Sequence, residues 1–577
     1  MTLASTPLDA LTDDQRKFVM EPRADIVLRA CPGSGKTHAA VMRFLRRIGE
    51  SPSLLSGIAM LSFTNVAVDE VLQRSHQLGI TIHFPHFVGT LDAFMQKFLI
   101  QPHGHREMAC PNRPFLAVEA ADSGDLANEF AFVQMEGPRV KAKEPIWKVD
   151  CIETEPRPRF RAGRSSLSDA DHARVMAIKR RYAQTGRYTH ADASMWAYNL
   201  LKRDSRIVSA LAARFPEIIV DEAQDTSAVH RSILTLLMRS GVNVTIVGDP
   251  DQCIYEFNAA DARFFQSLIT AGHKPYELME NKRSTRTIVN SFRPFGTAIG
   301  MFSVIEPTTE DRYVAIYDTT NIISLQQRFS RLIVDRNLCL QKCAIVVRSH
   351  SQLAQLLGSS ALKNVASTAL RYFIEAAVKR DDAKDYPETL RVAARAFKVL
   401  AHEFLHSEEY DRQDSDSAQN WRNMVWAFAR SPDYLPQIDL AGNDWHTRLK
   451  ASVSKFLGEH GFSLKSSVGV RLKTTGIDPR RSIREQFGEG SRDLRIDTIH
   501  QVKGETLSAV TLVASSRQEK HWIEHDMAAP VKDELVRLAY VAMTRPQHLL
   551  VVAVPRETQE NHLKKWESLG FVRLNWC

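Results

Sequence analysis

The run Ala30-Cys-Pro-Gly-Ser-Gly-Lys-Thr37 has the spacing of a phosphate-binding loop, with Ala30 where the template has its first glycine. Gly33 and Gly35, with Ser34 between them, let backbone N–H groups curl around phosphate oxygens. Lys36 can reach the β- and γ-phosphates, Thr37 offers a hydroxyl to Mg²⁺, and a helix that follows presents its positive end. A second run, Ile218-Ile-Val-Asp221-Glu222-Ala-Gln-Asp225, ends an apolar strand in two carboxylates. That places them at the carboxyl edge of a sheet, where nucleotides bind. Asp221 suits Mg²⁺ held through water, and Glu222 suits positioning or deprotonating an attacking water. A GSGKT in a loop, or two acids at a strand end, is commonly incidental. Together, each behind a strand, they predict a site for ATP and Mg²⁺.

The elements that position these residues are legible as apolar runs. Such runs begin at Asp25, Gly57, Glu217 and Asn243, and again at Tyr313, Cys343, Ala509 and His548. Continuous β-branched runs bounded by turn residues and separated by helical stretches are buried parallel strands. Their distribution predicts an α/β protein with two parallel-sheet cores. The segments between have another texture. Residues 101–200 include the Pro/Arg-rich Glu155–Arg164 and then a polar helical stretch, and residues 361–489 are rich in helix formers. Each reads as a mainly helical insertion within a core. The expected domains are core 1A over 1–100 and 201–285, insertion 1B over 101–200, core 2A over 286–360 and 490–577, and a compact insertion 2B over 361–489.

Bulk properties agree without deciding the function. The 577 residues suffice for several domains, and 44% apolar with 25% charged residues is ordinary for a globular protein, which excludes a disordered or fibrous chain. The net charge of +8 suits a polyanionic partner. Seven cysteines without a paired CxxC spacing argue against a disulfide scaffold. The start, MTLASTPLDALTDDQ, has no basic-then-apolar signal pattern, and no apolar run approaches the ~20 residues that span a bilayer. The expectation is a soluble, cytoplasmic protein with no membrane partner.

Further motifs follow in a fixed order: LTDDQR at Leu11–Arg16, SFTNVAVDEV at Ser62–Val71, VGTLDAF at Val88–Phe94 and VGDPDQCIYEFNAA at Val247–Ala260. ENKRST at Glu280–Thr285, TIHQVKGETL at Thr498–Leu507 and LAYVAMTRP at Leu538–Pro546 complete the series. In order and spacing the chain resembles the UvrD/Rep-type DNA helicases of superfamily 1A. The resemblance implies two RecA-like cores with ATP in the cleft between them. It implies that Gln15 reads the adenine, Gln252 couples the γ-phosphate to the DNA track, Arg283 and Arg545 meet the γ-phosphate, and Glu505 bonds the ribose. Cationic forks of this kind stabilise the charge that spreads over a transferring phosphoryl group. The family's DNA-facing positions fall on Phe63, Thr64, Asn65, Thr90, Tyr255, Phe257 and His500. Core packing is the alternative for the three aromatics. Sequence-independent binding of single-stranded and partly duplex DNA is expected, since no base-reading module is apparent.

The chain departs from the family at several positions. Lys282 stands where an aromatic usually stacks on adenine, Phe257 replaces a tryptophan, and Asn258 replaces an arginine. KGET replaces KGLEF, so the ribose role of Glu505 assumes a one-residue shift, and His38 takes a place often held by arginine. The short second insertion and the end at Cys577 soon after the last motif resemble motor subunits that work beside a separate nuclease. The helicase-like B subunit of Gabija anti-phage defence systems is one such subunit. Two functions follow: a motor that unwinds DNA with 3′ to 5′ polarity, or a DNA- or nucleotide-responsive ATPase subunit that regulates a partner nuclease. His103, His105 and Cys110 read as a solvated Pro/Gly loop rather than a metal site. Arg157–Arg164 and Arg480–Arg484 suit phosphate contacts and solvated faces equally.

Overall fold

The computed structural model describes residues 11–576 apart from 51–52, 117–128, 137–138, 164–166, 255–262, 299, 320–321, 350–351, 354–355, 357–364, 366, 401–415, 461–471, 488–493 and 525–533. The chain divides into two compact units; the first comprises both α/β cores and the first insertion, and the second is built on Val347–Thr498.

The first core is a six-stranded parallel sheet of β1 (Ile26–Ala30), β2 (Ile58–Ser62), β3 (Phe87–Thr90), β4 (Glu217–Val220), β5 (Asn243–Gly248) and β6 (Lys274–Leu278), in the order β6-β1-β5-β4-β2-β3. β2 and β4 are buried along their whole length and β1 and β5 at all but one residue each, which is why they read as apolar runs. The edge strands β3 and β6 are half exposed, carry Gly89 and Pro275, and did not read as strands. The register pairs Ser62 with Thr90, Val220 with Leu61 and Arg29 with Gly248, so the strands end nearly level. Every segment of interest in this core therefore leaves the same sheet edge.

Helix α1 (Asp13–Met20) starts at a capping box between Thr12 and Gln15, and α2 (Lys36–Gly49) starts directly at the phosphate loop. The fully buried Arg43 of α2 donates to the carbonyls of Phe18 at 3.1 Å and Glu21 at 2.7 Å, which ties α1 to α2. Glu217 neutralises that cation, accepting from Arg43 at 3.4 Å and from Arg47 at 2.8 Å. Without it a buried guanidinium would be prohibitively costly.

The second core is also parallel. Its strands β7 (Arg312–Tyr317), β8 (Cys343–Val347), β9 (Leu507–Val513), β10 (Pro546–Pro555) and β11 (Val572–Asn575) run in the order β8-β9-β10-β7-β11. Its apolar cluster takes in Cys31 and Ile254 from the first core beside Tyr540, Val510 and Val552. The first insertion contains helices and two antiparallel hairpins, Ala131–Glu136 with Arg139–Pro145 and Val149–Glu153 with Arg159–Ala162. Gln101–Met108 is a helix rather than the expected loop: it continues the helical Leu91–Met95 and Gln96–Ile100, Pro102 falls at the junction with the wider turn before it, and Gly104 packs against Ile100 and Pro114. The second unit is helical, with Phe373, Phe397, Phe428, Trp445 and Phe456 at its centre. Among the described residues no helix is long and apolar enough to cross a membrane.

Candidate functional site

The phosphate loop joins β1 to α2, and its glycines adopt the conformations expected of them. Gly33 has φ +71° and Gly35 has φ +78°, both in the left-handed region. A Cβ at Gly33 would lie 2.7 Å from Arg283 Cβ, and one at Gly35 would lie 2.8 Å from Gln15 Nε2. The loop is thus closed in by side chains as well as by its own backbone. Ser34 Oγ donates to the Cys31 carbonyl at 2.8 Å, which fixes the turn from within. Gln15 Nε2 donates to the Ser34 carbonyl at 2.8 Å while its Oε1 accepts from Thr12 N–H at 3.1 Å. Both ends of that amide are therefore engaged on backbone, and Gln15 braces the loop.

Lys36 Nζ pairs with Glu222 Oε1 at 2.6 Å, and Thr37 Oγ1 donates to Asp221 Oδ2 at 2.9 Å. Glu222 occupies left-handed backbone at φ +53°, a strained conformation for a residue with a side chain. Burial alone would raise its pKa, yet Lys36 and Lys503 pull it down to about 2, so Glu222 is a carboxylate. Burial and the Glu222 charge push Asp221 the other way, to about 6. Two adjacent acids whose surroundings separate their titrations suit different tasks, one as base and one as cation ligand.

Gln224 and Asp249 join these groups to the next motif. Gln224 Nε2 donates to Glu222 Oε2 at 2.5 Å, and Gln224 Oε1 accepts from Asp249 N–H at 3.1 Å. A Cβ on Gly248 would approach that oxygen to 2.3 Å, so only glycine fits at the end of β5. Asp249 then accepts from Gln252 Nε2 at 2.9 Å, and Gln252 Oε1 accepts from Arg545 Nη2 at 2.7 Å. Arg545 sits at the foot of α3 (Glu534–Met543, in the second core), where its Nε also donates to the Val541 carbonyl at 2.9 Å.

Arg283 reaches the loop from the turn after β6. Asn281, fully buried, donates to the Pro32 carbonyl at 2.7 Å and accepts from the backbone N–H groups of Arg283 and Ser284, each at 2.8 Å. Arg283 Nη1 donates to the Thr544 carbonyl at 3.1 Å. Burial, together with the neighbouring Arg545 charge, lowers the Arg283 guanidinium to about 9, so it stays protonated at neutral pH. Lys36, Glu222, Gln252, Arg283 and Arg545 are thus gathered around one loop.

Residues 11–271 match the UvrD/REP helicase N-terminal domain. Over 413 residues the chain is 25% identical to the DNA helicase II of Salmonella typhimurium, covering 67% of this chain and 55% of that protein. DNA helicase II of Escherichia coli matches to the same extent, at 25% over 413 residues. The ATP-dependent DNA helicase UvrD2 of Mycobacterium tuberculosis is 25% identical over 286 residues, 46% of this chain and 40% of that one. The chain spans about half the length (55%) of the DNA helicase II relatives it matches. The UvrD/REP match takes in the phosphate loop, both carboxylates, and Gln252; Arg283, Glu505 and Arg545 lie beyond it.

Phe63, Thr64, Asn65 and Thr90, expected to face DNA, lie at the same edge of the first sheet, one strand further along. Thr64 lies just past the end of β2 and Thr90 ends β3, whose register sets Ser62 beside Thr90, and each threonine caps a helix: Thr64 Oγ1 accepts from Ala67 N–H at 3.3 Å and Thr90 Oγ1 from Ala93 N–H at 3.0 Å. Adjacent helix N-termini with hydroxyl caps present backbone donors suited to phosphate oxygens. Thr64 and Asn65 are exposed, and Phe63 and His500 are half-buried. Tyr255, Phe257 and Asn258 lie outside the described residues. Glu505 is half-buried, and its charge acts on Arg545. The site thus includes Gln224, Asp249, Asn281 and Lys503, none of which was singled out from the sequence. All four lie inside quoted motifs, and that was the available signal. Among the described residues no group of three or more His, Cys, Asp and Glu has the arrangement of a metal cluster.

Proposed function

We propose that the chain is an ATP-hydrolysing motor that translocates on single-stranded DNA and unwinds duplex with 3′ to 5′ polarity, working in the cytoplasm. The observation that carries this reading is the 2.7 Å bond from Arg545, in the second core, to Gln252, in the first, beside Lys36 and Glu222. A site completed by an arginine from the opposite core makes hydrolysis depend on how the cores meet, which is what converts hydrolysis into movement.

Gly33, Ser34 and Gly35 would cradle the β-phosphate with backbone N–H groups, and Lys36 would leave Glu222 for the phosphates. The Thr37 hydroxyl and the Asp221 carboxylate, 2.9 Å apart, fit the octahedral oxygen ligation of Mg²⁺. Bound there, Mg²⁺ would neutralise charge on the β- and γ-phosphate oxygens. Glu222, once free of Lys36, would orient and deprotonate the attacking water. Arg283 and Arg545 would meet the charge that develops on the γ-phosphoryl group, and Glu505 would bond the ribose. Phe63, Thr64, Asn65, Thr90 and His500 would hold the strand, joined by Tyr255 and Phe257.

A second reading has one observation in its favour. Lys282 is exposed beside the loop, its N–H donating to the Gly33 carbonyl at 2.9 Å, where an aromatic face would grip adenine in a dedicated ATPase. In that reading the chain is a nucleotide- or DNA-responsive subunit that regulates a partner nuclease in an anti-phage defence complex of the Gabija type. Phosphate release by the purified chain with and without single-stranded DNA, with Lys36→Ala as control, tests both. DNA-stimulated release that the variant lacks, with strand displacement on a 3′-tailed duplex, supports the motor. Release without displacement moves the weight to the regulatory subunit, and absence of release in a folded chain overturns the motor.

A further inference from the structure

The short turn Pro250–Gln252, at the carboxyl end of β5, is held at three points by segments that follow the first sheet. Thr297 donates its N–H to Asp251 Oδ2 at 2.8 Å and its hydroxyl to Asp251 Oδ1 at 2.6 Å. Arg545 grips the Gln252 side chain, as described above. Lys503 takes the remaining hold: its Nζ donates to the Gln252 backbone carbonyl at 2.9 Å and to both carboxylate oxygens of Asp225, at 2.7 and 2.6 Å. Three ammonium donors thus meet three acceptors. The side chains of Lys503 and Asp225 are only 8% and 2% exposed.

Such a pair is a poor device for stability. Removing an ammonium and a carboxylate from water costs several kcal/mol, and apolar side chains of similar volume commonly do as well or better. What the pair supplies is a defined geometry. Asp225 lies three residues past Glu222 on the first core's acidic turn, and Lys503 lies three residues past His500 on the segment that leads into β9. Lys503 therefore links the turn that carries the general base to the turn that carries Gln252, from a segment that also bears a residue of the strand-facing side.

We infer that Lys503 is a positioning residue for nucleotide hydrolysis: by tying the Gln252 carbonyl to Asp225 it holds the Gln252 amide between Asp249 and Arg545, so that Arg545 is aligned only while the Lys503 segment rests on the first core. The inference rests on the reading that hydrolysis occurs at this site. The Lys503 ammonium meets three acceptors on Asp225 and Gln252, whereas Lys36 pairs with Glu222 beside the phosphate loop, which distinguishes their parts. Movement of the His500–Lys503 turn on binding a strand would reach Arg545 through these same bonds.

The test compares the full chain with Lys503→Met, Lys503→Arg, Asp225→Asn and the Lys503→Met/Asp225→Asn double variant, by DNA-stimulated phosphate release over a range of ATP concentrations. The expected result for Lys503→Met is a kcat lower by about thirtyfold or more with KM within about threefold, the mark of a group that acts on the reacting state rather than on binding. Lys503→Arg should recover at least about tenfold of that loss, and the double variant should be no worse than Lys503→Met alone, because coupled residues are not additive. Loss confined to KM, a kcat change under about threefold, or additive losses would each overturn the inference. Hydrogen–deuterium exchange gives a readout that needs no hydrolysis. The Gln252 N–H, bonded to the Asp249 carbonyl at 3.0 Å, and the Leu507 N–H, bonded to the Arg545 carbonyl at 3.1 Å, should exchange faster in Lys503→Met and in Asp225→Asn. Unchanged exchange at both amides overturns the clamp. A wild-type chain that hydrolyses nothing, with exchange responding as expected, overturns the motor reading and leaves the clamp standing. Asp225→Asn, which keeps the ammonium and its bond to the Gln252 carbonyl, serves if Lys503→Met fails to fold.

Discussion

Lys36 Nζ lies 2.6 Å from Glu222 Oε1, so the cation suited to a phosphate and the carboxylate suited to an attacking water satisfy each other. Both side chains are nearly out of solvent, at 14% and 15% exposure, where such a pair is held firmly. In the proposed function a triphosphate would draw Lys36 away and so free Glu222 for the water. Glu222→Gln should therefore lower phosphate release by about 10²–10⁴ while a fluorescent ATP analogue binds as tightly as before or more tightly. Equal losses of binding and turnover would show that Glu222 holds the loop instead of the water.

Arg545 makes directional use of two of its guanidinium nitrogens. Nε donates to the Val541 carbonyl at 2.9 Å, and Nη2 to Gln252 Oε1 at 2.7 Å and to Thr544 Oγ1 at 2.8 Å. A lysine cannot reproduce that fork. Arg545→Lys and Arg545→Ala should both lose about 10³–10⁵ in kcat, with single-strand affinity largely kept in an anisotropy titration. Recovery of most of the rate by lysine would mean that charge alone matters at this position.

How much of this was legible follows from distance along the chain. The eight apolar runs that read as strands are strands, because a strand buried on both faces leaves a continuous signature. Phe87–Thr90, Lys274–Leu278 and Val572–Asn575 did not read as strands, since edge positions are partly exposed and need no such run. The phosphate loop and its two acids were legible because each is contiguous and its function requires particular residue types. Arg283 and Arg545 could be picked out only through the ordered series of motifs. The pairing of Lys503 with Asp225, 278 positions apart, has no local sign, since a lone charge in a motif does not name its partner. Gln224 and Asn281 were missed because amides bonded to backbone look like ordinary turn residues.

The loop glycines make a prediction about backbone. Gly33→Ala places a methyl at φ +71° and 2.7 Å from Arg283 Cβ, so it meets both conformational strain and a side chain that has little freedom to retreat. The left-handed conformation alone costs about 1–2 kcal/mol. Gly33→Ala should weaken nucleotide binding and lower kcat together, because the Arg283 turn must shift. Gly35→Ala meets only the end of the Gln15 amide, at 2.8 Å, and should weaken binding with less effect on kcat. Calorimetric titration with a non-hydrolysable ATP analogue, beside steady-state rates, separates the two; identical profiles would mean that Arg283 does not depend on the loop.

Asp249 makes the folded state sensitive to pH. Its carboxyl is 2% exposed, and burial together with the Asp251 charge raises it from 3.8 to about 7, despite the bond from Gln252. Between those values the folded chain keeps a proton that the unfolded chain has released, so stability falls as pH rises from about 4 to about 7. Above that window both states are ionised and the trend stops. Asp249→Asn removes the effect. The variant also offers one amide oxygen where the carboxyl accepts from both Asp251 N–H and Gln252 Nε2, but that loss does not titrate and leaves the slope untouched. In the absence of nucleotide, the stability of the variant relative to wild type should improve by up to about 1.4 kcal/mol per pH unit across the window. Parallel pH profiles of the two proteins, read by urea unfolding at pH 5, 6 and 7, would mean that Asp249 is ionised throughout, and that Gln252 is then held by a full carboxylate charge.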